Sequence, residues 1–175
     1  MRRILLLLAG AVLLALSAAT AARSQGQGHP APGFLVVRNA STEGGTTGRA
    51  VATIVVRGFV IGKIAQEGAV KIYHTTPGTG STAQAAGVEV SRRRVTYHTV
   101  SGIEFSGSGF RFRAVGGVWR VVVHGSGVSL YAGGEGKVSL HGSVVYPGND
   151  GEYSVDGGRF ASLPTGIVKR RLGAK

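Results

Sequence analysis

From Phe34 onward, short runs rich in Val, Ile, Tyr and Phe are broken every few residues by glycine. In several runs the apolar residues recur at every second position, as in Phe110-Arg111-Phe112-Arg113-Ala114. No stretch beyond residue 33 sustains the 3.6-residue period of an amphipathic helix. A period of two sends alternate side chains to opposite faces of a strand. The expected strands are 34–38, 50–57, 59–64, 69–75, 87–91, 94–100, 102–106, 109–115, 118–124, 127–132, 137–141, 143–146, 152–155, 158–162 and 167–172. Short strands at this spacing predict an all-β domain, a single antiparallel β-sandwich or open barrel built of short hairpins. Ser41–Gly48 and Thr76–Ala86, rich in Gly, Thr and Ser, are expected surface loops.

Gly116-Gly117 lies between two β-runs, the pattern of a two-residue hairpin turn. Such a turn sets Ala114 opposite Trp119, Arg113 opposite Arg120 and Phe112 opposite Val121. Phe110, Phe112, Ala114, Trp119, Val121 and Val123 then share a core face, and Arg111, Arg113 and Arg120 share the solvent face. Opposed like charges weaken a sheet. A bound anion, or an acid such as Glu104 or Glu135, would relieve the Arg113–Arg120 repulsion.

Gly107-Ser108-Gly109-Phe110-Arg111-Phe112-Arg113-Ala114 is echoed 18 residues later by Gly125-Ser126-Gly127-Val128-Ser129-Leu130-Tyr131-Ala132. A period of this size raises a β-solenoid as the alternative fold, although two copies are fewer than a solenoid needs. A second hairpin is expected from Glu152–Val155 and Arg159–Leu163 around Asp156-Gly157-Gly158. The stretches Gly-Ser-Gly-Phe-Arg-Phe-Arg-Ala-Val-Gly-Gly and Tyr-Ser-Val-Asp-Gly-Gly-Arg-Phe-Ala-Ser-Leu-Pro resemble segments of small, uncharacterised exported proteins of actinobacteria, across roughly residues 105–172. The resemblance implies an extracytoplasmic β-domain and supplies no activity or functional residues.

The amino terminus has a different pattern. Met1-Arg2-Arg3 precedes an apolar run of 13 residues, Ile4–Leu16, followed by small residues that include Ala19-Thr20-Ala21. A cationic start, a short apolar core and a small-x-small site make a secretory signal, expected as a helix over residues 1–21. The run is short for a bilayer span of about 20 residues. An uncleaved anchor is the alternative, and it would be the domain's only tie to a membrane. Residues 22–33, rich in Gly and Pro, read as a flexible linker, 34–172 as the β-domain and 173–175 as a tail. The expected location is secreted or extracytoplasmic, associated with the envelope.

Charge adds a class of partner. With two of the 20 Lys+Arg in the signal, 18 remain against 8 acidic residues, a net +10. Outside a cell the counterparts of such a surface are anionic envelope polymers, acidic glycans, lipid headgroups or released nucleic acid. Arg92-Arg93-Arg94, at an expected turn, joins Arg111, Arg113 and Arg120 as the candidate anion-binding set, and Lys169-Arg170-Arg171 gives the chain a basic finish. With no aromatic expected on that face, base stacking and specific nucleic-acid recognition are not expected.

Catalytic chemistry finds little support. There is no cysteine, which excludes thiol nucleophiles, disulfides and Cys-type zinc sites. His74, His98, His124 and His141 could ligate a metal, but none pairs at short ligand spacing, so no metal site and no cofactor is expected. Ser126, His124 and Asp150 could supply a serine-hydrolase triad, but the Gly-x-Ser-x-Gly elbow is absent. The eight acids are too scattered for a glycosidase pair. Leu163-Pro164-Thr165-Gly166 lacks the spacer residue and apolar span of a sortase substrate. The expected function is a non-enzymatic envelope or extracellular module binding anionic polymers. A small secreted serine hydrolase and a passive assembly protein are the alternatives.

Overall fold

The computed structural model describes residues 32–43, 48–74, 88–91, 95–99, 102–143 and 150–173. The signal, most of the linker and Arg92–Arg94 lie outside the described residues. The chain is all-β: β1 (Gly33–Ala40), β2 (Ala52–His74), β3 (Val88–Ser91), β4 (Val95–Thr99), β5 (Gly102–Gly125), β6 (Val128–Leu140), β7 (Glu152–Val155), β8 (Ala161–Ser162) and β9 (Val168–Leu172). They form one antiparallel sheet in the order β3-β5-β2-β6-β1-β7-β8, with β4 added to β5 and β9 to β6. The sheet does not close into a barrel. Every pairing is antiparallel, so the solenoid alternative is not adopted.

The principal departure from the expected pattern is strand length. Strands expected at 50–57, 59–64 and 69–75 are one strand, β2, of 23 residues. Those at 102–106, 109–115 and 118–124 fuse into β5, of 24 residues. The intervening glycines bend the ladder rather than end it. Glycine reaches positive φ without a Cβ penalty, so it can absorb a kink while the strand continues.

Gly116 is the clearest case. It has φ 75° and no register partner, because Gly117 pairs with Gly58 while Val115 pairs with Phe59. It is therefore a one-residue bulge in β5, and the expected Gly116-Gly117 hairpin does not form. Arg113 and Arg120 are not cross-strand neighbours. They lie along one strand, about 20 Å apart at the rise of an extended chain. The sorting of faces survives this change. A two-residue turn and a one-residue bulge both reverse the parity between Ala114 and Trp119, so either puts both residues inside. Phe110, Phe112, Ala114, Trp119, Val121 and Val123 are all buried, Trp119 to 1% exposure. Arg111, Arg113 and Arg120 are exposed.

The Gly-Ser-Gly echo is a repeated corner. Gly107 and Gly109 have φ 146° and 64°, and Gly125 and Gly127 have φ 118° and 65°. The two segments flank the same bend of β2. Glu67 pairs with Ser108 on one side, and on the other Ser126 donates its N–H to the Glu67 carbonyl at 3.1 Å. A Cβ on Gly125 would sit 2.4 Å from the Glu67 carbonyl oxygen and 2.5 Å from the Gly68 Cα. Past this corner the second half of β2 pairs with both ends of β5, at 103–107 and at 119–125. The sheet thus curls over its own inner face and covers the core of Leu35, Ile54, Val60, Phe112, Trp119 and Leu140.

The second hairpin forms as expected, with β8 shorter than the run suggested. Asp156 and Gly157 take positive φ, 53° and 73°. The Asp156 carboxylate accepts from the Phe34 N–H at 2.8 Å, tying the turn to the start of β1. The Leu-Pro-Thr-Gly segment is a connection between β8 and β9. Leu163 is buried, and the Pro164 carbonyl accepts from the Gly142 N–H at 2.8 Å.

Candidate functional site

The outer face of the central sheet is best described as rows across strands. Along β2 the outward residues are Thr53, Val55, Arg57, Phe59, Ile61 and Lys63. Register extends each into a row. Thr53 faces Ser139, which faces Lys169. Val55 faces Lys137, which faces Arg171, and on its other side Val55 faces Arg120. Arg57 faces Glu135, and Phe59 faces Gly133, which faces Phe34. Ile61 faces Tyr131 and Arg113, and Lys63 faces Ser129 and Arg111.

The arginines of β5 are embedded in neighbours. Glu89 holds the register position opposite Arg113, and Arg111 and Arg113 are both engaged by surrounding groups. The Arg120 guanidinium lies over the Tyr73 ring, 5.8 Å from its centroid. An aromatic thus stands on the face where none was expected. Next to it, Lys71 pairs with Glu104 at 3.2 Å.

The other end of the face differs. Two adjoining depressions of about 460 and 440 Å³ share Thr53 and Ser139 and form one groove over β2, β6 and β9. Arg49, His141 and Ile167 line one end, and Lys137, Lys169, Arg170 and Arg171 the other, with no carboxylate among the lining residues. Lys137 and Arg171 are directly opposed, the like-charge pair that was expected at Arg113 and Arg120. Among the described residues neither makes an ion pair. Opposed like charges cost stability unless something negative sits between them. The hydroxyls of Thr53 and Ser139 add donors beside the ammonium groups, so the groove presents fixed positive charge together with hydrogen-bond donors.

Arg49 is held at the groove's end. Its carbonyl accepts from the Thr42 hydroxyl at 2.8 Å, and its guanidinium donates to Nε2 of the buried His141 at 3.3 Å. A guanidinium has no acceptor, so Nε2 is the accepting atom of this contact.

The triad candidates are not assembled with one another. His124 donates from Nδ1 to the Gly48 carbonyl at 2.9 Å, the nitrogen that a triad carboxylate would orient. Burial holds His124 below the ordinary imidazole pKa, and the charge of Lys71 adds to that lowering. The Ser126 backbone is paired to Gln66 and Glu67. Asp150 is buried beside Gly142, with Oδ2 lacking a hydrogen-bond partner and its carbonyl accepting from the Ser41 N–H at 3.0 Å. Among the described residues no hydrogen bond joins any two of Ser126, His124 and Asp150. No three of His, Asp and Glu gather as a metal site among the described residues. No helix there is long and apolar enough to cross a membrane.

Comparison with protein-family models, with curated proteins and with solved structures finds no match. The geometry of this face therefore carries the functional reading alone. Arg49, Thr53, Lys137 and Ser139 are the site residues that sequence reasoning missed. Alternation in Lys137-Val138-Ser139-Leu140 marks the outward pair, but the partners come from strands far away in sequence.

Proposed function

We propose that this chain is an exported, non-enzymatic β-module that binds anionic polymers through the outer face of its sheet. The observation that carries the reading is the groove over β2, β6 and β9. Lys137 and Arg171 oppose each other there with Lys169 alongside, and no carboxylate lines the groove. A polyanion lying in it would relieve the repulsion and displace counterions, so affinity should depend steeply on salt. The signal-like amino terminus supports export, so the polyanion is one met outside the cytoplasm.

Binding of heparin, teichoic acid and single-stranded DNA across a salt series tests this. About four contacts to a nucleic-acid-like polymer give a log–log slope near −3 to −4. The Lys137→Gln/Lys169→Gln/Arg171→Gln variant is expected to lose most of that slope with its fold intact by circular dichroism. Equal binding by wild type and variant would reduce the groove to a solvated surface, as would the absence of binding at low salt.

A further inference from the structure

Between the groove and the cations at the other end of the face lies an aromatic patch. Phe34, Gly133 and Phe59 form one row across β1, β6 and β2, with Tyr131 and Ile61 in the next. A Cβ on Gly133 would sit 2.6 Å from the Phe59 ring and 3.1 Å from the Phe34 ring, so the two rings meet over bare backbone. The Phe34 and Tyr131 rings are parallel within 6°, with centroids 5.7 Å apart, and Phe59 lies 5.3 Å from Tyr131. These side chains are not sealed from solvent: Phe34 is 38%, Tyr131 39% and Ile61 44% exposed. Arg57, Lys137 and Arg171 lie on one side of the patch, and Lys63 on the other. By register Glu135 sits opposite Arg57, and Glu89 opposite Arg113 in the Ile61 row.

We infer that the polyanion this face takes is a single-stranded nucleic acid, its bases stacking on Phe34, Phe59 and Tyr131 while its phosphates meet the cations on either side. The inference rests on the anion-binding reading and names the ligand class. Cations alone would suit any polyanion. Two exposed rings, Phe34 and Tyr131, and the half-buried Phe59, on three adjacent strands bordered by cations, suit a polymer that carries a flat π-face beside each charge. From the Lys137 row to the Lys63 row is eight residues of β2, about 26 Å at the rise of a strand. That length suits the smallest sites of such surfaces, about four nucleotides. The patch offers ring faces and few hydrogen-bond groups, so binding tolerates any base sequence.

The test compares a mixed-sequence single strand with an abasic strand of equal length, which keeps every phosphate and loses every base, using the purified protein and fluorescence anisotropy. Wild type is expected to bind the ordinary strand on the order of 5- to 100-fold tighter than the abasic one, the range one stacked base supplies. In Phe34→Leu/Tyr131→Leu, which keeps apolar cover over Gly133 and leaves only Phe59, most of the preference for the ordinary strand should be lost and the abasic affinity should stay at the wild-type value. Equal affinities in wild type would overturn the stacking and leave the polyanion reading standing. Failure of every polyanion at low salt would overturn both. An acidic glycan that binds tighter than the strand and loses affinity in the same leucine variant would also overturn the inference, and assign the rings to sugars.

Discussion

Two groups of cations share one sheet face, one along β5 and one over β2, β6 and β9, with Arg120 and Lys137 flanking Val55 in the same row, and they are not equivalent. Arg111, Arg113 and Arg120 follow one another along β5 and stand out in the sequence. In space they are answered: Arg111 and Arg113 have interacting neighbours, and Tyr73 lies under Arg120. Arg49, Lys137, Lys169 and Arg171 are dispersed over more than a hundred residues and meet in a groove with no carboxylate in its lining. Cationic density along a chain therefore says less about a binding site than the absence of counter-charge around it. The conspicuous arginines have partners, whereas Lys137 and Arg171 face each other without a carboxylate in the groove lining.

The comparison depends on which way β5 faces, so its largest test is in the core. Trp119→Ala should cost about 3–5 kcal/mol, as deletion of a fully buried large aromatic does. Arg111→Ala, on the exposed face, should cost well under a third of that. Chemical denaturation of both variants measures the ratio, and comparable costs would invert the faces.

The next effect divides the two clusters directly. Replacing Lys137, Lys169 and Arg171 by Gln should lower the salt slope by about 2–3, at roughly 0.7–0.9 per lost phosphate contact. Replacing Arg111, Arg113 and Arg120 should lower it by about 1 or less, because those side chains already have partners. A larger effect from the second triple would return the site to the arginines of β5.

How much of this was legible depends on distance along the chain. The inner face of β5 could be read because alternation is local, and because a bulge and a tight turn reverse parity alike. The choice between them could not be read. It depends on β2 running alongside the whole of β5, a pairing between residues about fifty positions apart. The Gly-Ser-Gly echo was visible, but its meaning was not, since both copies brace a bend in a third segment, Ala65–Gly68. The groove was hidden for the same reason. Thr53, Ser139 and Lys169 share no sequence neighbourhood and meet only through register. The aromatic patch escaped because Phe34, Phe59 and Tyr131 sit in three different runs, each with an ordinary share of aromatics.

A smaller effect tests the bulge itself. A Cβ on Gly116 meets nothing within 4 Å, so Gly116→Ala should cost only the left-handed backbone penalty of about 1–2 kcal/mol. Because the bulge persists, Arg111 and Arg113 stay outward and polyanion affinity should be unchanged. A much larger loss of stability would mean that residue 116 is enclosed. A gain would mean that its φ is not positive.

The smallest expected effect is a pH dependence carried by His124 and not by the groove cations. His124 is half-buried at the end of β5, its Nδ1 donating to the Gly48 carbonyl. Burial is the largest influence and holds its pKa below the ordinary value of 6.5, against the raising hydrogen bond to Gly48; Lys71 adds a smaller lowering and Glu104 a smaller raising contribution. The unfolded chain, with this imidazole in water, binds a proton more readily than the folded one. Stability is therefore greatest above about pH 6.5 and falls as the pH drops through that value toward the lowered folded pKa. Denaturation midpoints between pH 8 and 5 should decline on the acid side. His124→Gln removes the titrating group and should flatten its part of the decline. The groove variant Lys137→Gln/Lys169→Gln/Arg171→Gln, which touches no such group, should retain the wild-type profile. If His124→Gln leaves the slope unchanged, the acid sensitivity belongs to another histidine. If stability instead rises on acidification, the imidazole is stabilised in its charged form and the sign assigned to His124 is wrong.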